Sequence, residues 1–303
     1  MRVFVTGASG FVGSAVLPEL IGAGHSVVGL ARSDANAKAI AAMGAKVQWG
    51  TLQDLDSLKQ AAAQADGVIH LAFIHDFSKF AENGQIDKRA IEAMGSVLEG
   101  TNKPFVVTSG VALLTPGRLA TENDPAHSGD GIPRVSEAAA FAFVTRGVRA
   151  MAVRLPQVHG GEGKAGLIGY FLDIAREKRV SAYVGDGSQR WAAAHRLDVA
   201  PIYRLALEKG VAGTSYHAVA EEGVSMRDIA DVLGRHLNVP VVSITAEEAP
   251  AHFGWMGMFV GIDAPASSAL TQKWLGWKPK EIGLIADIGQ LGYFATAPNT
   301  LAQ

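Results

Sequence analysis

The first thirteen residues restrict the fold of this chain more than any other stretch. Arg2-Val3-Phe4-Val5 is a short apolar strand. It runs into Thr6-Gly7-Ala8-Ser9-Gly10-Phe11-Val12-Gly13 and then into an amphipathic helical segment, Ser14 to Ala23. Such a strand, turn and helix start make an anion site. The first N–H groups of a helix have no partner within it, and the helix dipole adds partial positive charge there. Gly7 permits the tight turn, Gly10 lets a pyrophosphate approach the backbone, and Gly13 lets the helix pack closely on the strand. Three glycines alone also suit an ordinary strand–helix turn. Their position after an early strand, with further strand–helix units behind them, points to a dinucleotide site.

The first half of the chain alternates apolar strands with helical stretches. Strands read at residues 3–6, 26–31, 45–49, 67–71, 105–108 and 150–154, and helices at 34–43, 55–63, 77–98 and 134–146. This pattern predicts an α/β fold, a Rossmann-type doubly wound parallel sheet with right-handed crossovers. The short all-apolar strands suit a sheet covered on both faces. Ligands of such sheets sit beyond the strand C-termini, near the switch point. That rule gathers 7–13, 31–33, 71–75, Ser109 and 156–159 around one cleft. The second half is less regular, with helices at 167–176, 196–208 and 226–237, and it predicts a smaller, interleaved C-terminal substrate lobe. The expected division is a nucleotide domain at 1–160, to which 190–220 returns, and a mainly substrate-binding lobe at 161–303.

Charge and composition exclude several classes of function. The net charge is -2 and no long basic run occurs, which argues against a nucleic-acid partner. Cysteine is absent, so disulfides, thiol catalysis and cysteine metal sites are excluded, and a reducing cytoplasm is the expected location. The N-terminus already forms a strand and reads as no secretory leader. The longest strongly apolar stretch, 253–262, is far shorter than the ~20 residues that span a bilayer. His75, His159 and His195 are too scattered to show metal-ligand spacing, and no metal site is expected.

Four motifs together resemble the short-chain dehydrogenase/reductase superfamily, specifically its extended and atypical, epimerase/dehydratase-like branches. Thr6 to Gly13 fits the TGxxGxxG pattern. Val68-Ile69-His70-Leu71-Ala72 is similar to the strand end that packs beside adenosine and pyrophosphate. Arg154-Leu155-Pro156-Gln157-Val158-His159-Gly160 is similar to RPxxVYG, with one residue inserted before the proline and His159 in the tyrosine slot. His195 to Ala200 resembles the VxDVA junction of the substrate lobe. The resemblance implies cofactor contacts from Gly7, Ser9, Gly10, Phe11, Val12, Arg32, Ser33, Leu52, Leu71, Ala72, Phe73, Pro156, Val158 and His159. Members that prefer NAD usually carry a carboxylate at the end of the second strand. Here Ala31 fills that slot and Arg32-Ser33 follow, a pairing suited to a 2′-phosphate, so NADP(H) is expected over NAD(H). Asp34 reads as the cap of the next helix. Related proteins often dimerise through paired helices, and the helix at 77–98 is the first candidate for a homodimer contact.

The chain departs from the superfamily at its usual acid. Tyr-x-x-x-Lys places both side chains on one helix face, and the lysine charge lowers the phenol pKa. None of the five tyrosines has a lysine four residues later. Alignment puts Pro133 in the tyrosine slot and Glu137 in the lysine slot, and Ser109 just before the catalytic serine position. Candidates to replace the acid are His75, beside a helix-capping Asp76, and Ser109, with His159 and the pair His195-Arg196 behind them. Asp198 reads as a helix cap. Each histidine also has an ordinary structural reading, as a loop residue or as packing. Arg134, one residue beyond the vacant slot, reads as the solvated start of a helix, with a position pointing into the cleft as the alternative. Tyr170, Trp191 and Trp255 are the expected substrate wall, within an aromatic and Met-rich set that also suits core packing. The reading is an NADP(H)-dependent oxidoreductase that reduces a carbonyl of a small, largely apolar substrate. A catalytically silent NADP(H)-binding redox sensor and an epimerase or isomerase with bound cofactor are the alternatives.

Overall fold

The computed structural model describes residues 1–112, 114–126, 134–161 and 166–294. The first half runs β1 (Arg2–Thr6), α1 (Gly13–Gly22), β2 (Ser26–Ala31), α2 (Asp34–Ala42), β3 (Lys46–Trp49), α3 (Leu55–Gln64), β4 (Gly67–His70), α4 (Phe80–Ser96), β5 (Pro104–Gly110), α5 (Ser136–Phe141) and β6 (Arg149–Leu155). The second half adds β7 (Gln157–His159), α6 (Gly166–Lys178), β8 (Ser181–Val184), β9 (Arg190–His195), α7 (Arg196–Lys209), β10 (Ser215–His217) and β11 (Glu221–Ser225). It ends with α8 (Met226–Leu237), β12 (Val241–Ile244), α9 (Ala249–Phe253), α10 (Ala269–Leu275) and α11 (Leu284–Ile288).

Seven strands form the central sheet in the order β3-β2-β1-β4-β5-β6-β10, and every pair is parallel. This is the Rossmann-like order predicted by the alternation of strands and helices. Side chains alternate along a strand, so β1 sends Val3 and Val5 to one face and Phe4 to the other. Val3 and Val5 pack with Leu17 and Leu20 of α1 and Ile202 and Ala206 of α7. Phe4 packs with Leu58 of α3 and Ile91 and Met94 of α4. Both faces of the central strands are dry, which is why their middle positions are apolar on both sides, while the edge strand β3 carries Lys46 and Gln48.

Two predicted helices differ from the observed ones. The stretch expected from Phe77 begins as a short 3-10 turn, Phe77–Lys79, with the Asp76 carboxylate accepting from Ser78 N, and becomes α-helical at Phe80. The helix expected at 134–146 breaks into α5 and a second 3-10 turn, Val144–Arg146, closed by Gly147 at φ +78. The Phe143 ring between them lies against Gly95 of α4, where a β-carbon would come within 2.6 Å of it.

A second apolar cluster holds the remaining lobe together around Phe171, Leu172, Ile229, Leu233, Phe253 and Met256. Strand β9 joins the lobe to the sheet domain, pairing parallel with β7 and antiparallel with β11. Among the described residues no helix is long and apolar enough to cross a membrane.

Candidate active site

The turn between β1 and α1 is built for close backbone approach. Gly7 sits at φ +66, and a β-carbon there would lie 2.7 Å from Ala72 N. A β-carbon on Gly13 would lie 2.1 Å from the Gly7 carbonyl oxygen, so α1 packs on the turn as only glycine allows. A β-carbon on Gly10 would meet only Gly7 O, at 3.1 Å, and its outer side is open. Helix α1 has no side-chain cap, and the N–H groups of Phe11 and Val12 find no protein partner among the described residues. Ser9 lies half-buried in the same turn. Two unpaired donors at a helix start, beside an open glycine, fit a dinucleotide pyrophosphate.

The other cofactor candidates ring this turn unevenly. Leu71, Ala72 and Phe73 leave the end of β4 half-buried, and Ala72 N donates to Thr6 Oγ1 at 3.3 Å. Pro156 is half-buried between β6 and β7, whereas Leu52 and Val158 lie in the core. Arg32 is exposed and has no protein partner among the described residues. Ser33 has a different duty from the one expected. It is the cap of α2, accepting from Asn36 N and donating to Asn36 Oδ1 at 2.9 Å, so its proton is already committed. Asp34 therefore sits in the first turn and is not the cap.

Beyond the C-termini of β4 and β5, where sheets of this class place their ligands, aromatic rings gather at a candidate recess. Phe77 and Trp255 stack face to face there, centroids 3.7 Å apart and in direct contact, joining the sheet domain to the lobe. Tyr170 stands 5.3 Å from Trp255 and donates its hydroxyl to Phe253 O. The His75 ring packs edge-on to Phe73 and Phe77, centroids 5.6 and 6.0 Å apart. Its rim is open to solvent, yet protein atoms crowd the ring. Desolvation, followed by the positive charge of Arg134, holds the His75 pKa below the usual histidine value, which favours neutral imidazole at pH 7. Ser109, next to the last residue of β5, is half-buried and its hydroxyl has no protein partner among the described residues.

Several side chains stand elsewhere than expected. Trp191 is 7% exposed, bonds Ile262 O through its indole N–H, and is core of the lobe, not a wall of the recess. His159 is buried away from the recess, its Nδ1 2.8 Å from Asp287 Oδ2, and Tyr293 donates to the same carboxylate oxygen. Burial opposes ionisation of Asp287, but those two hydrogen bonds together with the neighbouring imidazoles outweigh it and lower its pKa. His195 caps α7 through Nδ1, while Asp198 accepts from Lys280 N and Glu281 N. Arg196 bonds Ser14 Oγ at 3.0 Å and lies over Phe11. Pro133 falls outside the described residues. Glu137, in the lysine slot, is buried against Arg154, its Oε1 2.7 Å from Nη2.

Arg134 is the largest departure from the expected arrangement. It is no solvated helix start. Its Nη2 donates to Thr108 O at 3.0 Å, its Nε to Ser136 Oγ at 3.1 Å, and its guanidinium lies 4.2 Å over the Phe73 ring. Ser136 Oγ donates on to Asp87 Oδ2 at 2.5 Å. The other Asp87 oxygen faces His70 Nε2 at 3.0 Å, and His70 Nδ1 faces Thr6 Oγ1 at 2.7 Å. A buried polar chain thus joins the glycine-rich turn to the recess. Asp87, Asp287 and Tyr293 carried no motif. The one sequence signal for Asp87 is a carboxylate on the apolar stripe of Ile86, Ala90 and Ile91.

Comparison with known proteins places this geometry in a family. Residues 3–111 match the model of the NAD dependent epimerase/dehydratase family. An uncharacterized protein of Schizosaccharomyces pombe is 47% identical over 97% of this chain and 100% of its own. A 4-hydroxy-2-methyl-3-oxo-4-farnesyl-3,4-dihydroquinoline-1-oxide ketoreductase of Stigmatella aurantiaca is 28% identical over 88% of this chain and 84% of its own. A dTDP-glucose 4,6-dehydratase of Streptomyces venezuelae, solved with NAD bound, shares the fold with a TM-score of 0.76 at 18% identity, over 95% of each chain. The chain belongs to the NAD dependent epimerase/dehydratase family.

Proposed function

We propose that the protein is an NADP(H)-dependent oxidoreductase that reduces a carbonyl of a small, largely apolar substrate. The observation that carries this reading is the open N–H pair of the glycine-rich turn, joined by residues 71–75 to an aromatic recess holding His75. When bound, the nicotinamide supplies hydride to the carbonyl carbon. The rings of Phe73, Phe77, Tyr170 and Trp255 exclude water and hold an apolar body. His75, neutral at pH 7, donates its ring N–H as a hydrogen bond to the carbonyl oxygen, and the proton itself comes from solvent water at its open rim. Ser109 offers that oxygen, or a water beside it, a hydroxyl. The name of the Stigmatella relative, a ketoreductase of a farnesyl-bearing ring, supports an apolar carbonyl substrate.

The test is loss of NADPH absorbance with pure protein and a panel of aromatic and aliphatic ketones and aldehydes. His75→Ala is expected to lower turnover by about 10²-fold or more while NADPH binding stays within about twofold. Unchanged turnover would remove His75 from the chemistry.

Preference for NADP(H) rests on Arg32 alone, since the Ser33 proton is engaged. Arg32→Glu is expected to weaken NADPH binding by about 10- to 10²-fold, because a charged hydrogen bond contributes roughly 1.5–3 kcal/mol. NADH binding should change little. Equal loss for both cofactors, read by fluorescence titration, would remove Arg32 from the 2′-phosphate.

One observation favours a second reading, a catalytically silent NADP(H) sensor. Glu137 stands in the lysine position and is spent on Arg154. The mark of a sensor is discrimination between NADPH and NADP+ without turnover on any carbonyl.

A further inference from the structure

We infer that Arg134 holds the substrate's carbonyl oxygen while negative charge develops on it, in place of the tyrosine phenol this chain lacks. The inference deepens the reductase reading and rests on it for its context.

The first support is geometric. The guanidinium is pinned along one edge by Thr108 O and Ser136 Oγ and lies on the Phe73 ring, which His75 also touches. Two of its five N–H donors are used there. Nη1 makes no protein hydrogen bond among the described residues, and it is not one of the buried polar atoms left without a partner. Nη1 is therefore open to solvent beside the Phe73 ring. A planar fork held rigid on one edge and open on the other is a preorganised oxygen site.

The second support is charge. Ser136 donates to Asp87, so it accepts from Arg134, and the bridge makes Asp87 the counterion of the guanidinium. Burial works against the Asp87 carboxylate, but the His70 hydrogen bond and the nearby charges keep its pKa low. Among the described residues, the remaining titratable groups facing Arg134 are the neutral His75 and Tyr203, whose burial keeps its phenol protonated. Arg134 and Asp87 together are neutral. A neutral carbonyl, which gains negative charge only as hydride arrives, matches the site.

The test uses 4-nitrophenol, an aromatic probe whose phenolate is coloured and whose ionisation needs no turnover. It is titrated into the full-length chain, with and without NADP+, below the probe's own pKa. The wild type is expected to bind it as phenolate, with its acidity raised by about tenfold or more. Arg134→Met should abolish that effect while circular dichroism and NADPH affinity are retained. Arg134→Lys keeps the charge balance with Asp87 but not the fork, and should lose at least about fivefold of the effect. Binding of the probe as neutral phenol by the wild type overturns the inference. So does a phenolate signal that survives in Arg134→Met, or one as strong in Arg134→Lys as in the wild type. Phenolate binding without carbonyl turnover would leave this assignment standing and defeat the reductase reading. Turnover without phenolate binding would do the reverse.

Discussion

Replacing Glu137 by alanine is expected to cost about 3–5 kcal/mol of stability, the usual loss when one partner of a buried ion pair is removed. Glu137 and Arg154 are 3% and 2% exposed, so neither charge has water to fall back on. The carboxylate accepts from Arg154 Nε and Nη2 and from Ser215 Oγ. The remaining edge of Arg154 is committed as well, with Nη1 donating to Asp124 O at 2.8 Å and facing His217 Nε2 at 3.2 Å. Burial lowers the His217 pKa, so its ring is neutral, donates from Nδ1 to Ser267 O and accepts from Arg154. Without Glu137 the guanidinium keeps these neutral acceptors and loses its counterion. Because the pair ties α5 to β6 and β10, the change should also loosen the end of the sheet that carries Ser109. Denaturant unfolding measures the loss. A value under about 1 kcal/mol would mean that water reaches Arg154. The double variant Glu137→Leu with Arg154→Met should recover most of the stability, since two apolar groups need no pairing.

Gly13→Ala is expected to weaken NADPH binding by at least about tenfold, with the protein destabilised by several kcal/mol. The added β-carbon would meet Gly7 O at 2.1 Å and Ala8 O at 2.7 Å, both main-chain atoms that no rotamer change can clear. Helix α1 must then move off the turn, which pulls the Phe11 and Val12 N–H groups away from the pyrophosphate position. Gly22, at the far end of the same helix, is the control, since a β-carbon there meets nothing within 4 Å. Gly22→Ala should leave binding unchanged and stability equal or slightly higher, given the better helix propensity of alanine. Equal NADPH affinity in Gly13→Ala and the wild type would contradict the close-packing account of the turn.

The extent to which the sequence spoke for itself differs between the sheet and the recess. Alternating apolar strands and helices, the glycine spacing at 7, 10 and 13, and the cap at Asp76 are local patterns. Each depends on residues within a few positions of one another, and the strands, the turn and that cap follow from them. Local competition already blurs such patterns. Ser33, not Asp34, caps α2, because both are good caps one residue apart and the backbone is extended at Ser33. Trp191 shows the next level of ambiguity, since an aromatic residue suits a core and a pocket wall equally. Only the packing of β9 against the lobe decides for the core.

The sequence by itself determined the order of the main strands and helices, the glycine-rich turn and the spacing of tyrosines and lysines, because these are short-range facts of spacing and residue type. Only the tertiary structure decided how the buried polar groups pair. Arg134 meets Thr108, Ser136 and Phe73, and Asp87 meets His70 and Ser136, across separations of 17 to 61 residues wherever the partners are not neighbours. His159 reaches Asp287 across 128 residues. Buried charges must find partners wherever the fold brings them, and no local pattern records which distant residue will arrive.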